Sequence, residues 1–400
     1  MKLALHIGTP KTGTTSCQRW FSQNRDVLRG QGIIYSRSLG EYSHRALAVY
    51  AQNPNKANRS FAHFGINTPQ DHADFRRQLA EKFGQEIAQH DQARHWVISS
   101  EHLFSNITKP EMIQQVRDFL QPYFAEITVF LHLRPQVDLL VSGASQRARM
   151  GRAVTPQILT RPAVSDQSAY FNYNSITKKW ADVFGIENLK IIPFRKQPDM
   201  AQTLITHLGA CRDGTTAPLR TNEALGWQTM ALVNALGDAA ASVKPLHKSL
   251  FLDQQPKGER LQIGMEMARK IQARFQQSNA MLCQRHPDIA PQDLEPDWHH
   301  YDAPANVYNL NEETGFSKQF AYVIARYQQE LRLAKAKTLL AETALLLHKG
   351  ETGGQAKLVQ VQALLRMPDI LAELHSDQQD MLARKDNLQK QISALESKQP

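Results

Sequence analysis

Leu3, Leu5 and Ile7 alternate as the buried positions of a strand do, and the run ends in Gly8-Thr9-Pro10-Lys11-Thr12-Gly13-Thr14-Thr15. Gly8 and Gly13 permit a tight turn, and Ser16 to Asn24 continues with residues compatible with a helix. A strand delivered into a glycine- and hydroxyl-rich loop and then a helix restricts the fold more than anything else in the chain. Backbone N–H groups at such a turn point outward, and the positive end of the new helix favours an anion. The expected element is a phosphate cradle at the edge of a parallel sheet.

The position of the lysine decides which phosphate chemistry is in question. Gly8 to Thr15 satisfies the outer frame of the nucleotide-triphosphate loop, G-x-x-x-x-G-K-S/T, but Thr14 stands where the lysine belongs and Lys11 precedes it by three residues. Pro10-Lys11-Thr12-Gly13-Thr14-Thr15 instead resembles the P-K-x-G-T-T loop of sulfotransferases dependent on 3′-phosphoadenosine 5′-phosphosulfate (PAPS), and matches it at every specified position. The resemblance implies that Pro10, Lys11, Thr12, Gly13, Thr14, Thr15 and Ser16 hold the 5′-phosphosulfate, with Lys11 at the departing oxygen. The plain alternative is a strand-turn-helix corner with an exposed lysine.

A second segment, residues 127–151, has an apolar strand, Arg134 at its end, Pro135 and then a helix-like stretch containing Ser142, eight residues after the arginine. Proline is tolerated at a helix start, which places Ser142 about two turns in. Arginine grips phosphate with a planar fork. In the same family an arginine closing a strand and a serine eight residues on hold the donor's 3′-phosphate, and Arg134 and Ser142 are the matching positions. The alternative is a surface arginine and an unremarkable helix serine.

Trp96 to Ser100 is a short β-prone run followed by Glu101 and His102. Ligands of parallel sheets gather at the carboxyl ends of the strands, so Glu101 is expected to face the crevice of Lys11 and Arg134. Sulfuryl transfer to an alcohol needs a base at the attacking oxygen and positive charge at the leaving phosphate. Glu101 is the preferred base and His102 the second candidate; carbohydrate sulfotransferases use a glutamate in this way, small-molecule members a histidine. The structural alternative is a carboxylate that caps a helix or pairs with a basic neighbour.

A chain of 400 residues with 42% hydrophobic content is long enough for a large α/β domain and an appended segment. Cys17, Cys211 and Cys283 form no C-x-x-C pair and cannot all be bridged, which fits a reducing compartment, and Cys17 reads as a small buried filler. The first apolar run is too short for a signal peptide, and no window approaches a membrane span. A cytoplasmic protein of bacterial type is expected, unlike the membrane-anchored members of the family. The net charge of +9 attracts anions, but without zinc-finger spacing, an aromatic ribonucleoprotein motif or a basic tail no nucleic-acid partner is expected.

Alternating elements through residue 200 predict an α/β fold: a P-loop-like three-layer core with a mainly parallel sheet, followed by a helical C-terminal extension. Expected strands are 2–7, 32–35, 95–99, 127–133 and 189–193. The polar stretch 40–75, with His44, His63 and His72, is expected to lie over the site and carry acceptor specificity, its histidines solvated or substrate-facing and not zinc ligands. Trp180 reads as core, Arg195-Lys196 as a basic turn or a contributor to the donor rim, and the turn at Lys257-Gly258 as a faint likeness to a closing loop. His299 and His300 are weak metal candidates. Helical spacing recurs at 203–208, 224–236 and 262–275. Beyond Phe316, Met381, Leu388, Ile392 and Leu395 trace a brief seam that suggests a helical hairpin or short coiled coil, open to self-association.

The expected organisation is a catalytic α/β domain over 1–315, its strands within about 210 residues, and a helical extension over 316–400. The resemblance implies PAPS as donor, adenosine 3′,5′-bisphosphate as the product left behind, no required metal, and a carbohydrate or lipid-linked acceptor, the carbohydrate favoured by a glutamate base and a long polar lid. The rivals are a P-loop nucleotide kinase, which Thr14 and the lack of an aspartate at the strand ends oppose, and a non-catalytic nucleotide-binding assembly module.

Overall fold

The computed structural model describes residues 1–55, 59–197, 199–217, 224–236, 258–311, 315–349, 353–365 and 375–396. Five strands form one sheet: β1 (Lys2–His6), β2 (Ile33–Tyr35), β3 (His95–Ser99), β4 (Glu126–Leu133) and β5 (Leu189–Pro193). Their order is β2-β3-β1-β4-β5 and every pairing is parallel, so the expected mainly parallel sheet is wholly so. Strand bounds fall within a residue of the expected ones.

Helices cross between strands on both faces. α1 (Thr14–Gln23) and α2 (Arg25–Gly30) follow β1; α3 (Arg45–Tyr50), α4 (Arg59–His63) and α5 (Pro69–Gln89) follow β2; α6 (Glu101–Asn106) and α7 (Pro110–Leu120) follow β3. After β4 come α8 (Gln136–Arg149), α9 (Pro156–Thr160) and α10 (Tyr173–Phe184), and after β5 comes α11 (Met200–His207). Because a parallel sheet is covered on both sides, its strands read as near-continuous apolar runs. Ala4, Val97 and Phe130 face Trp20, Phe21 and the α11 residues Leu204 and Ile205, with Cys17 buried among them as the filler expected. On strand β3 the next residue along, Trp96, meets Phe83 at 6.0 Å and Phe124 at 5.9 Å between ring centroids.

The strand order puts the topological switch between β1 and β3: the connection leaving β1 runs to one side of the sheet, to β2, and the connection leaving β3 runs to the other, to β4. His6 pairs in register with Ser99 on one side and Phe130 on the other. The segments leaving β1, β3 and β4 therefore emerge together, at the place where α/β sheets take ligands.

Two compact units are distinguished by contact: Met1–Gly143 with Gln157–Glu223 and Gln262–Pro304, and Ala144–Pro156 with Ala224–Leu261 and Ala305–Pro400. The first holds the sheet. In the second, helices Gly315–Lys349, Gly354–Leu365 and His375–Glu396 bury Leu333, Ala336, Leu358, Val361, Met381 and Ile392 in one cluster. Among the described residues this region, expected as a helical hairpin or short coiled coil, contains three helices, and the Met381 and Ile392 seam is turned inward against its neighbours. Among the described residues no helix is long and apolar enough to cross a membrane.

Candidate active site

The loop between β1 and α1 is tied down by its own hydroxyls. Thr9 Oγ1 donates to the His132 carbonyl, Thr12 Oγ1 donates to the Thr9 carbonyl at 2.6 Å, and Thr14 Oγ1 approaches the same oxygen at 3.4 Å. Thr9, Thr12 and Thr14 are all buried. Of the hydroxyls in the loop expected to hold the 5′-phosphosulfate, those of Thr12 and Thr14 are turned to the Thr9 carbonyl inside the loop, while Thr15 is exposed and Ser16 half-buried.

Backbone conformation explains the two glycines. Gly8 has φ 45° and a Cβ there would meet His6 Cε1 and Thr14 Cγ2 at 3.1 Å. Gly13 has φ 88°, caps α1 with no side-chain hydrogen bond, and has nothing within 4 Å of where its Cβ would stand. An uncapped helix start beneath open space leaves its first N–H groups directed at a ligand. Between the glycines, Lys11 is the one described non-glycine residue at positive φ, 68°. Such a conformation costs on the order of 1 kcal/mol and is found where the surroundings enforce it.

Arg134 supplies part of that enforcement. Leaving β4 beside the loop, it donates from Nη1 to the Lys11 carbonyl at 3.0 Å. Its own carbonyl accepts from Tyr173 Oη at 2.6 Å, and its guanidinium lies 5.7 Å from the Phe194 ring centre. Pro135 precedes α8 and accepts from the Leu139 N–H at 2.9 Å, the helix start that proline predicts. The helix is anchored by buried amides: Gln136 and Asn279 exchange hydrogen bonds at 2.7 and 3.1 Å, and the Val137 N–H donates to Gln272 Oε1 at 3.2 Å. Ser142 follows on α8, half-buried, with no hydrogen bond among the described residues. Lys11 and Arg134 are brought together; among the described residues no hydrogen bond joins Ser142 to either.

Glu101 opens α6 directly after β3. Gln18, buried on α1, donates from Nε2 to Glu101 Oε2 at 2.8 Å and approaches Ser99 Oγ at 3.3 Å. Ser99 Oγ lies 2.8 Å from His6 Nδ1. Helix α1, which follows the loop, thus also orients the carboxylate, so Glu101 is neither a helix cap nor half of a tight ion pair. Burial pushes the His6 imidazole well below its usual range, helped by His132, and burial lowers His132 to about 4. Both rings stay neutral under the loop.

His102 is differently placed. Arg45 Nε donates to His102 Nε2 at 2.8 Å, and Glu101 Oε1 lies 3.9 Å from the same nitrogen. A ring nitrogen that accepts from a guanidinium has its lone pair engaged. Burial depresses His102, Glu101 opposes that shift, and Arg45 adds to it. His102 is therefore a poorer base through Nε2 than the neighbouring carboxylate.

The lid region behaves otherwise than its polarity suggested. His44 and His72 are buried, not solvated. His44 accepts from the Ser99 N–H at 2.9 Å through Nδ1 and donates through Nε2 to the Ser36 carbonyl at 2.9 Å. It ties this segment to the end of β3. Arg195 and Lys196 do not form a donor rim; Arg195 donates to the Glu295 carbonyl at 3.0 Å and Lys196 pairs with Asp293 at 2.8 Å. Trp180 is 1% exposed, a core residue stacked on Phe184. His299 and His300 each face an aspartate, Asp302 at 3.1 Å and Asp297 at 3.9 Å, and among the described residues no group of three or more metal-ligating side chains occurs. Lys257 lies outside the described residues.

Sequence reasoning missed Gln18, Arg45 and Tyr173. A glutamine among the apolar positions of α1 was a visible signal; nothing local marks Arg45 or Tyr173, whose roles depend on distant partners.

No family model and no curated protein matches the chain. Among solved structures, a sulfotransferase from Alicyclobacillus acidocaldarius aligns with 63% of this chain and 96% of its own, at 16% identity and a TM-score of 0.34.

Proposed function

We propose that the chain is a PAPS-dependent sulfotransferase acting on a hydroxyl of a carbohydrate or glycolipid. The observation that carries the reading is the meeting of two remote motifs: the loop matching P-K-x-G-T-T and the arginine ending β4 join through the Lys11 carbonyl. Open space over Gly13 and the uncapped start of α1, with Lys11 in the same loop and Arg134 bonded to its carbonyl, suit a nucleotide with two separated anionic groups.

In this reading the N–H groups of Thr14 to Ser16 hold the 5′-phosphosulfate and Arg134, with Ser142, takes the 3′-phosphate. The acceptor oxygen attacks sulfur in line as the bond from sulfur to the bridging phosphate oxygen breaks. Glu101 takes the acceptor's proton, and Lys11 neutralises the charge growing on the departing oxygen, which leaves as adenosine 3′,5′-bisphosphate. Catalysis of this kind rests on positioning and electrostatics, as phosphoryl transfer does.

A screen with sulfur-labelled PAPS over neutral and acidic saccharides, glycolipids and small alcohols tests the proposal. Wild-type protein should label a saccharide class, and Lys11→Ala should lose about 100- to 1,000-fold in kcat, the worth of one transition-state donor. Transfer undiminished by that substitution would refute the assignment of Lys11.

A further inference from the structure

We propose that Arg45 is a recognition site for an acid group carried by the acceptor, a carboxylate or a sulfate ester on the sugar that presents its hydroxyl to Glu101. The inference rests on the sulfotransferase reading for the identity of the acceptor, and on independent geometry for the charge.

Arg45 begins α3, and its one hydrogen bond among the described residues is from Nε to His102 Nε2. That bond uses a single edge of the guanidinium. The two terminal nitrogens have no partner among the described residues, and no carboxylate lies within ion-pair distance. By contrast Arg25, on α2, is saturated: it donates to Glu41 Oε1 and to the Tyr35, Ser36 and Glu41 carbonyls. A half-buried guanidinium fixed along one edge, with its fork unused, is prepared for a planar anion.

The backbone that leads into Arg45 is also held. Glu86, buried, accepts from Ser36 Oγ at 2.6 Å and from the Ser38 N–H at 3.2 Å, and His44, adjacent to Arg45, is pinned to Ser36 and Ser99. Glu101, His102 and Arg45 form a row with links of 3.9 and 2.8 Å, and Gln18 of the cradle helix meets the far side of Glu101. The carboxylate is therefore linked to α1 on one side and, through His102, to Arg45 on the other. An acid substituent on the reacting ring, or on the next, reaches it. Because His102 is kept neutral, it supplies no competing positive charge and its role is to orient Arg45.

The test is calorimetric titration of the full chain, with and without adenosine 3′,5′-bisphosphate, using phenyl β-D-glucuronide, its methyl ester and the 6-sulfate of phenyl β-D-glucoside. Wild-type protein should bind an acidic glycoside about 10- to 100-fold more tightly than the ester, the range of a charge-assisted contact. The glucuronide and sulfate arms tell the two acids apart. Arg45→Gln should abolish the preference, and Arg45→Lys, which keeps the charge but not the fork, should retain a reduced one. Equal binding of acid and ester by wild-type protein, or a preference that survives Arg45→Gln, overturns the inference. Failure of the bisphosphate to bind while the Arg45-dependent preference persists overturns the sulfotransferase reading and leaves the anion site standing.

Discussion

The Arg134 guanidinium donates from Nη1 to the Lys11 main-chain carbonyl at 3.0 Å, across 123 positions of sequence. One bond thus fixes the strained backbone of the proposed leaving-group lysine to the residue proposed to hold the other end of the nucleotide. Tyr173 completes the arrangement by holding the Arg134 carbonyl from α10.

Arg134→Ala should weaken binding of adenosine 3′,5′-bisphosphate by about 10- to 100-fold, since a hydrogen bond to a charged group contributes roughly 1.5–3 kcal/mol. Tyr173→Phe removes only the Oη contact, worth about 1 kcal/mol, and should weaken binding several-fold. Calorimetry on both variants reads the order; a larger effect from Tyr173→Phe would reverse the assigned roles.

Gln18, buried on α1, holds Glu101 Oε2 at 2.8 Å. Gln18→Leu should lower kcat by about 10-fold or more, within the 100- to 10,000-fold that general-base catalysis supplies, and leave the KM for donor nearly unchanged. Gln18→Glu, which sets a second carboxylate against Glu101, should be worse. His102→Gln should retain more activity than Glu101→Gln, and the reverse ranking in steady-state kinetics would make the imidazole the base.

Buried neutral histidines give the fold a defined acid sensitivity. Burial lowers His44 to about 3 from an ordinary value of 6.5. Between those values the unfolded chain binds more protons than the folded one. The stability from neutral His44 is fully present above about pH 6.5 and is lost as the pH falls towards 3, by at most about 1.4 kcal/mol per pH unit. His132, lowered to about 4, adds in the same direction. Urea denaturation from about pH 7.5 down to pH 4.5 should show a plateau and then a decline, and His44→Phe, though less stable at neutral pH, should decline less steeply. A flat profile in the wild type would contradict the neutral buried state.

Met381 is wholly buried in the C-terminal helical cluster. Met381→Ala should destabilise that unit by about 2–5 kcal/mol. Thermal unfolding would register it, and an unchanged transition would mean that the three helices do not pack as described.

Much of the fold was legible because its signals are local. Alternation and near-continuous apolar runs located the five strands described, and the glycines with Lys11 located the turn between β1 and α1 without reference to any other element. Arg134 was legible through its place between a strand and Pro135. The rest depends on partners far along the chain. His44 and His72 looked solvated because their neighbours are polar, and only the Ser99 amide and the Val49 carbonyl, reached through folding, explain their burial. Arg195 and Lys196 looked available for a ligand because Glu295 and Asp293 lie about 100 positions away. The inward seam at Met381 and Ile392 reads like an interface until the helices that cover it are in place.

The most direct test of the central claim is a paired titration of the full chain with adenosine 3′,5′-bisphosphate and with ATP. Selective, saturable binding of the bisphosphate that both Lys11→Ala and Arg134→Ala diminish is the predicted result. Preference for ATP, or no binding of either nucleotide, would contradict it.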